Sequence, residues 1–200
     1  MKRLFLLMIT LCFMRGVSAQ EAVDLGLSVD WAAYNIGAES IEDSGISYLF
    51  GSNIEYTRNA RYKGVTIPNY DRDYSGDPHK DPSTIMWGET WRTPTYNEWQ
   101  ELISKCIWKR YNYVNDSGEQ CEGYEVTGPN GNSILLPFTP TNTINGHGDY
   151  QCSTPYEKSP TKCKCVLSLM KKGGVLCFTM WNNRSCQTNQ SAVYRPVCDK

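Results

Sequence analysis

Hydrophobic and polar positions change period several times along the chain, and each change marks an element. From 20 to 54, short apolar alternations are cut by Gly26, Gly37, Gly45 and Gly51, the pattern of small strands and turns. Residues 55–86 are polar and rich in Asn, Asp, Gly and Pro, which reads as a long, ordered surface loop. The period then becomes helical. Trp99, Leu102, Ile103 and Cys106 fall on one face, Thr95 stands at the N-cap, and Glu98 three residues on completes a capping box. Glu98 and Glu101 lie near the start, with Lys105, Lys109 and Arg110 near the end, as the helix dipole favours.

Two hairpins are expected after that helix. Residues 124–127 and 133–136 flank Gly128-Pro129-Asn130-Gly131, a turn with residues suited to unusual backbone angles. Val166 to Met170 and Val175 to Met180 flank Lys171-Lys172-Gly173-Gly174 in the same way. Residues 192–198 read as a last strand. Between Pro137 and Cys163 no period is visible, and a stretch that long in a compact domain is either functional or disordered. Its cysteines argue for order.

The N-terminus changes the picture of where the protein works. Lys2 and Arg3 precede an apolar run from Leu4 to Met14, and Val17-Ser18-Ala19 places small residues where a signal peptidase reads. Residues 1–19 are therefore expected to be a removable signal peptide, with cleavage before Gln20 and a mature domain over 20–200. The run is short of the roughly 20 residues a span requires, and no second apolar segment follows, so the mature chain is expected not to insert into a membrane. A lipoprotein leader would need a small residue before Cys12, and Leu11 is not small. The whole chain has 20 basic and 21 acidic side chains. Loss of Lys2, Arg3 and Arg15 with the leader takes the net charge from −1 to −4. That is no footprint for nucleic acid, which asks for a clustered basic face. The expected destination is the periplasm, the cell surface or the medium.

Eight cysteines remain after Cys12, all in the second half: Cys106, Cys121, Cys152, Cys163, Cys165, Cys177, Cys186 and Cys198. An even set in an exported chain reads as disulfides, with connectivity left open by sequence. At least three bridges are expected. Cys106 with Cys121 is one pair to test, because the helix end is expected to lead by a short loop into the first hairpin. Cys163-x-Cys165 near His147 lacks the paired C-x-x-C spacing of structural zinc, so no metal is assigned. His147 and Cys152 are five residues apart, but a nucleophilic thiol needs a lowered pKa in an open site. No paired acids suggest glycosidase chemistry. The chain is read as a non-enzyme without a cofactor.

Several blocks resemble the Fibrobacter succinogenes major paralogous domain family of exported Bacteroidetes-type proteins. They are residues 23–29 with Trp31-Ala32, then Asn35-Ile36-Gly37-Ala38, then Trp87 to Thr95 with the helix through Trp99. Gly123-Tyr124, residues 126–133, Leu136-Pro137 and Arg195-Pro196-Val197 follow in the family's order. The resemblance implies an α+β, C-type-lectin-like fold: one main capped helix packed on small antiparallel sheets, with long ordered loops. It also implies distant similarity to the sulfatase-modifying domain, whose W-R-x-P-T-x-x-E-W block this chain shares. In that block the Trp and Arg read as core and scaffold. The Arg-Gly-Gly-Ser-Trp block of those modifying enzymes is absent, so their activity is not carried over. Where the family usually shows an aromatic-Trp-Ser-Ser block, Tyr150-Gln151-Cys152-Ser153-Thr154 stands instead.

Two loops touch on calcium. Asp71 to Asp77 resembles the first half of an EF-hand loop, but Pro82 occupies the twelfth position, so it reads as an acidic turn. Trp181-Asn182-Asn183 resembles the Trp-Asn-Asp motif of true C-type lectins without its charged ligand. The expected function is an exported, non-catalytic module that binds a glycan or protein at the cell surface. The alternative is a structural or assembly domain of a surface adhesin. In lectin-like folds the excursion between hairpins carries the binding face. That places the site on Thr139 to Cys163 with the turn from Trp181 to Ser191, and Tyr150, Trp181, Asn182 and Asn183 are the expected contacts.

Overall fold

In the computed structural model the described residues are 20–49, 51–57, 72–114, 118–138, 147–155, 163–170, 176–182 and 191–200. For 147, 148, 163–170 and 176–182 the description is of the backbone. The expected signal peptide lies outside these residues. The protein is mixed α and β, with small antiparallel sheets and few helices. No helix among the described residues is long and apolar enough to cross a membrane.

One sheet joins the first and last described segments. β2 (Val29–Ala32) lies between β1 (Ala22–Val23) and β11 (Val197–Asp199), with Trp31 opposite both Val23 and Val197. β3 (Tyr48–Leu49) pairs with β10 (Ser191–Ala192). The single strand read over 192–198 is thus two short strands. The chain leaves one sheet after Ala192, Val193 bridges to Tyr150, and pairing resumes at Val197 in the other.

The long loop read over 55–86 contains a helix in its last part. In α1 (Pro82–Trp87), Asp81 caps Ser83 N–H and Pro82 takes the first turn, where its missing N–H costs nothing. Asp81 also accepts from Gly76 N–H, Thr93 N–H and the Thr93 hydroxyl, so one buried carboxylate ties α1 to the segment before the main helix.

That main helix is α2 (Tyr96–Lys105), with Thr95 at the N-cap and the reciprocal Thr95–Glu98 box in place. Trp99 and Leu102 are fully buried. The helix ends sooner than its basic residues suggested. Cys106 is extended at φ −101°, and the chain passes directly into β4 (Ile107–Val114), so Lys109 and Arg110 lie on a strand. β4 is rich in β-branched and aromatic residues, which prefer the pleated surface. It pairs with β5 (Gln120–Thr127), and β5 with β6 (Ser133–Pro137), placing the Gly128–Asn132 turn between them as expected.

The register overturns the Cys106–Cys121 bridge. Cys121 lies opposite Tyr113, six positions along β4 from Ile107, the neighbour of Cys106. At about 3.4 Å per residue that is roughly 20 Å, whereas bridged cysteines hold their Cα atoms within about 7 Å. Cys106 and Cys198 are free thiols.

The aperiodic stretch after Pro137 contains β7 (His147–Pro155), which pairs with β8 (Cys163–Met170), and β8 with β9 (Leu176–Asn182). β8 and β9 form the second expected hairpin. From Asp149 to Ser153 β7 does alternate polar and apolar residues, but both sets are buried, so the pattern does not separate a wet face from a dry one. Asp149, Gln151 and Ser153 are as enclosed as Tyr150 and Cys152. This segment gains backbone partners instead of water: Gln151 N–H donates to the Val193 carbonyl, Val193 N–H donates to that of Asp149, and Ser153 donates twice to the Pro94 carbonyl.

Aromatic rings fill the core between these layers. Trp31 and Trp99 approach to 4.7 Å between centroids, and Tyr150 meets Trp99 edge-on at 5.8 Å. Trp99 Nε1–H donates to the Gln151 carbonyl and Trp108 Nε1–H to that of Leu102, so both indole tips are satisfied. The quoted sequence blocks meet around this core. Asn130 and Asn132 both donate to the Asp24 carbonyl at 2.8 Å. Gly128 lies so close to Leu25 that a Cβ there would sit 2.0 Å from its carbonyl oxygen. Arg92 forks onto Glu98 and also reaches Asp199, and these partners hold its pKa above the ordinary value despite burial.

Candidate functional site

The two faces of the β4–β5–β6 sheet have different fates. Strand alternation sends Trp108, Tyr124, Val126, Ile134 and Leu136 toward the core. The opposite face carries Lys109, Tyr111 and Tyr113 from β4, Glu125 from β5 and Leu135 from β6. The segment after β2 folds over that face. Tyr113 donates from its hydroxyl to the Glu42 carbonyl at 2.7 Å, and Arg195 donates to the carbonyls of Ala32, Ala33 and Leu135. The segment's own bend is fixed by Asp43, which accepts from Glu39 N–H and Gly45 N–H. Gly45 has φ +70°, and a Cβ there would lie 2.5 Å from the Ile36 carbonyl oxygen, so only glycine closes this turn.

Between sheet and overlying segment lies a cleft of about 320 Å³. Glu21, Glu42 and Glu125 line it from three separate parts of the chain, together with Tyr34 and Tyr111. Tyr111 is partly exposed, and its ring is held by stacking on Tyr113 at 5.7 Å. Burial first, then the nearby Cys121, Tyr150, Glu42 and Asp43, push the Tyr113 phenol well above its usual range, so it stays a neutral donor. The cleft therefore offers aromatic and aliphatic surface beside carboxylate acceptors.

Of the expected contact residues, Tyr150 does not lie at an open face. Tyr150 is fully buried, packs on Trp99 and donates to the Pro137 carbonyl at 2.7 Å. Burial pushes its phenol up to about 12. Tyr150 is core because its ring closes the gap between α2 and the sheets, and it presents no surface to a ligand. Trp181 and Asn182 end β9 opposite Lys164 and Cys163, while Tyr150 stands opposite Leu167. Asn183 lies outside the described residues.

Other sequence candidates have local duties. Asp71 is outside the described residues. Asp73 accepts from Ser75 N–H and from the Thr154 hydroxyl, and Asp77 accepts from His79 N–H, so these carboxylates shape turns. His147 and Cys152 lie along one extended strand, their backbones roughly 16 Å apart. Burial, then Glu101, pushes the Cys106 thiol up. Burial, then Asp30 and Asp199, pushes Cys198 up against a smaller pull from Arg92. Both thiols are thereby kept protonated, the opposite of an activated nucleophile.

The cleft was invisible in sequence because register, not local motif, assembles it. The signal that was present is the alternation in Ile107 to Val114, which puts Lys109, Tyr111 and Tyr113 on one face. No family model, curated protein or solved structure matches this chain.

Proposed function

We propose that the chain is an exported, non-catalytic binding module of C-type-lectin-like architecture, related to the Fibrobacter succinogenes major paralogous domain, that recognises a glycan or protein at the cell surface. The supporting observation is the cleft over the β4–β5–β6 sheet, where a fixed, partly exposed tyrosine stands beside three carboxylates. Pre-set rings and acceptors lower the ordering cost of binding. The mutual contacts of the quoted blocks support the family reading, since each block has a structural task in the frame that holds the cleft. Screening the purified protein and its Tyr111→Ala variant against glycan and peptide arrays tests the proposal. A ligand lost on substitution supports it; no Tyr111-dependent ligand in either array removes it. N-terminal sequencing of released protein should begin at Gln20, and lipid-bearing Cys12 would instead mean a membrane anchor.

The assembly alternative draws support from β4. This strand ends its sheet in the described residues, and Ile107 and Val114 on it are exposed. Unpaired strand edges are templates for addition of another strand. Concentration-dependent association that an Ile107→Lys change abolishes would favour that reading over ligand recognition.

A further inference from the structure

Resting on the reading of the cleft as a binding site, we propose that it accepts the lysine or arginine side chains of a basic peptide segment on a partner protein. The charge balance is the first support. Glu21, Glu42 and Glu125 face the cleft, and among the described residues no lysine, arginine or histidine lines it. None of the three carboxylates enters an ion pair among the described residues. Lys109 is the cross-strand neighbour of Glu125 but stands outside the lining. Like charges gathered around a low-dielectric concavity focus a negative potential in it and draw in cations.

The remaining surface fits the rest of such a side chain. Val23, Ile41 and Leu135 give the cleft an aliphatic wall, and Ile41 is half exposed. A lysine or arginine lays its methylene stem on such a wall while its head reaches polar partners. The head then meets carboxylates able to accept an arginine fork, beside the tyrosine ring, whose face attracts cations. A neutral sugar is a poorer match. Its ring and hydroxyl oxygens call for donors as well as acceptors, and among the described residues the side chains lining the cleft supply as donors only the hydroxyls of Ser133, Tyr34 and Tyr111. An anionic ligand would be repelled by all three glutamates.

The test uses fluorescein-labelled oligo-lysine and oligo-arginine peptides, with a fully Nε-acetylated oligo-lysine of equal length as the neutral control. Binding to the purified protein is followed by anisotropy, and thermal melts confirm that each variant is folded. The basic peptides should bind, the acetylated one should not, and added salt should weaken the complex. Glu42→Gln and Glu125→Gln should each weaken binding about tenfold, the equivalent of about 1.4 kcal/mol. Glu89→Gln, an exposed residue outside the cleft lining, should leave it unchanged. Equal binding of the acetylated peptide, or an equal loss with Glu89→Gln, overturns the proposal. Capture of chitosan oligomers in preference to the peptides overturns it in favour of an amino sugar. A neutral ligand lost with Tyr111→Ala but kept with both glutamate variants would leave the cleft a binding site and remove only its cationic specificity.

Discussion

Arg195 is fully buried, and its guanidinium donates to Asn35 Oδ1 and to the carbonyls of Ala32, Ala33 and Leu135 at 2.7–2.9 Å. No carboxylate accepts from it among the described residues. Burial pulls its pKa down to about 10, so the group is still charged at neutral pH. A buried cation held only by neutral dipoles tolerates little change of shape, because each orphaned acceptor carries its own desolvation cost. Arg195→Lys keeps the charge but loses the planar fork. It is expected to cost at least about 3 kcal/mol, as several acceptors at 1–3 kcal/mol each are left short. A denaturant midpoint equal to wild type would mean the fork does not hold this frame. Glu101 gives a smaller, pH-dependent term. Burial raises its pKa, but Lys105 and the Ser28 hydroxyl and amide outweigh that and hold it below the ordinary 4.5. The folded value is therefore lower than the unfolded one, so the stabilisation is complete above the unfolded value and lost as pH falls through the folded one. With Lys105 largely exposed, Glu101→Gln should cost about 0.5–1 kcal/mol at pH 7. The gap between wild-type and variant melting temperatures should close in acid; a gap constant from pH 7 to strong acid would contradict the charge pairing. The buried roles of Arg195 and Tyr150 were not legible in the sequence. Arg195 showed only as part of a block, and Tyr150 in its polar stretch looked like a surface ring. Burial of both depends on contacts more than ten residues away in the chain.

At the scale of elements, α2 was the most legible, because its cap, box and stripe are all local. Replacing Trp99 by Ala removes a ring that touches both Trp31 and Tyr150 and donates to the Gln151 carbonyl. The expected cost is roughly 3–5 kcal/mol, against about 1 kcal/mol for Thr95→Ala, which removes only the cap. Urea melts of the two variants should keep that order, and the reverse order would mean the stripe does not face the core. The two hairpins were also legible, since a glycine-bearing turn between apolar runs fixes partners a few residues apart. The misses share a physical origin. β7 buries a polar face, Asp149, Gln151 and Ser153, as fully as its apolar one, so its composition mimics a loop. The extension from α2 into β4 was masked by Lys109 and Arg110, which suit a helix end and an exposed strand equally. α1 had a readable start in Asp81-Pro82, a cap followed by proline, overshadowed by the acidic turn before it.

For the whole molecule the decisive contacts join distant parts of the chain. β2 is completed on one side by β11, Arg92 exchanges main-chain bonds with Val197, and Lys200 reaches Asp24 at 2.7 Å. β3 likewise waits for β10, more than a hundred residues later. Pairings of such separation require loop closure before they return any stabilisation, so folding is expected on the millisecond-to-second scale of high-contact-order proteins. The same topology makes the last described strand indispensable. A chain stopped before Val197 leaves the edge of β2 along Val29 to Trp31 open, removes a fully buried valine from the core and strips Arg92 of Asp199. Its effect should reach well beyond the missing residues: the near-ultraviolet signal of the buried tryptophans should collapse, and the sharp melting transition of the full chain should broaden or vanish. A truncated protein that keeps one sharp transition at the full-length midpoint would show that β1 and β2 hold Trp31 against Trp99 without β11, and the dependence of the core on this closing strand would be refuted.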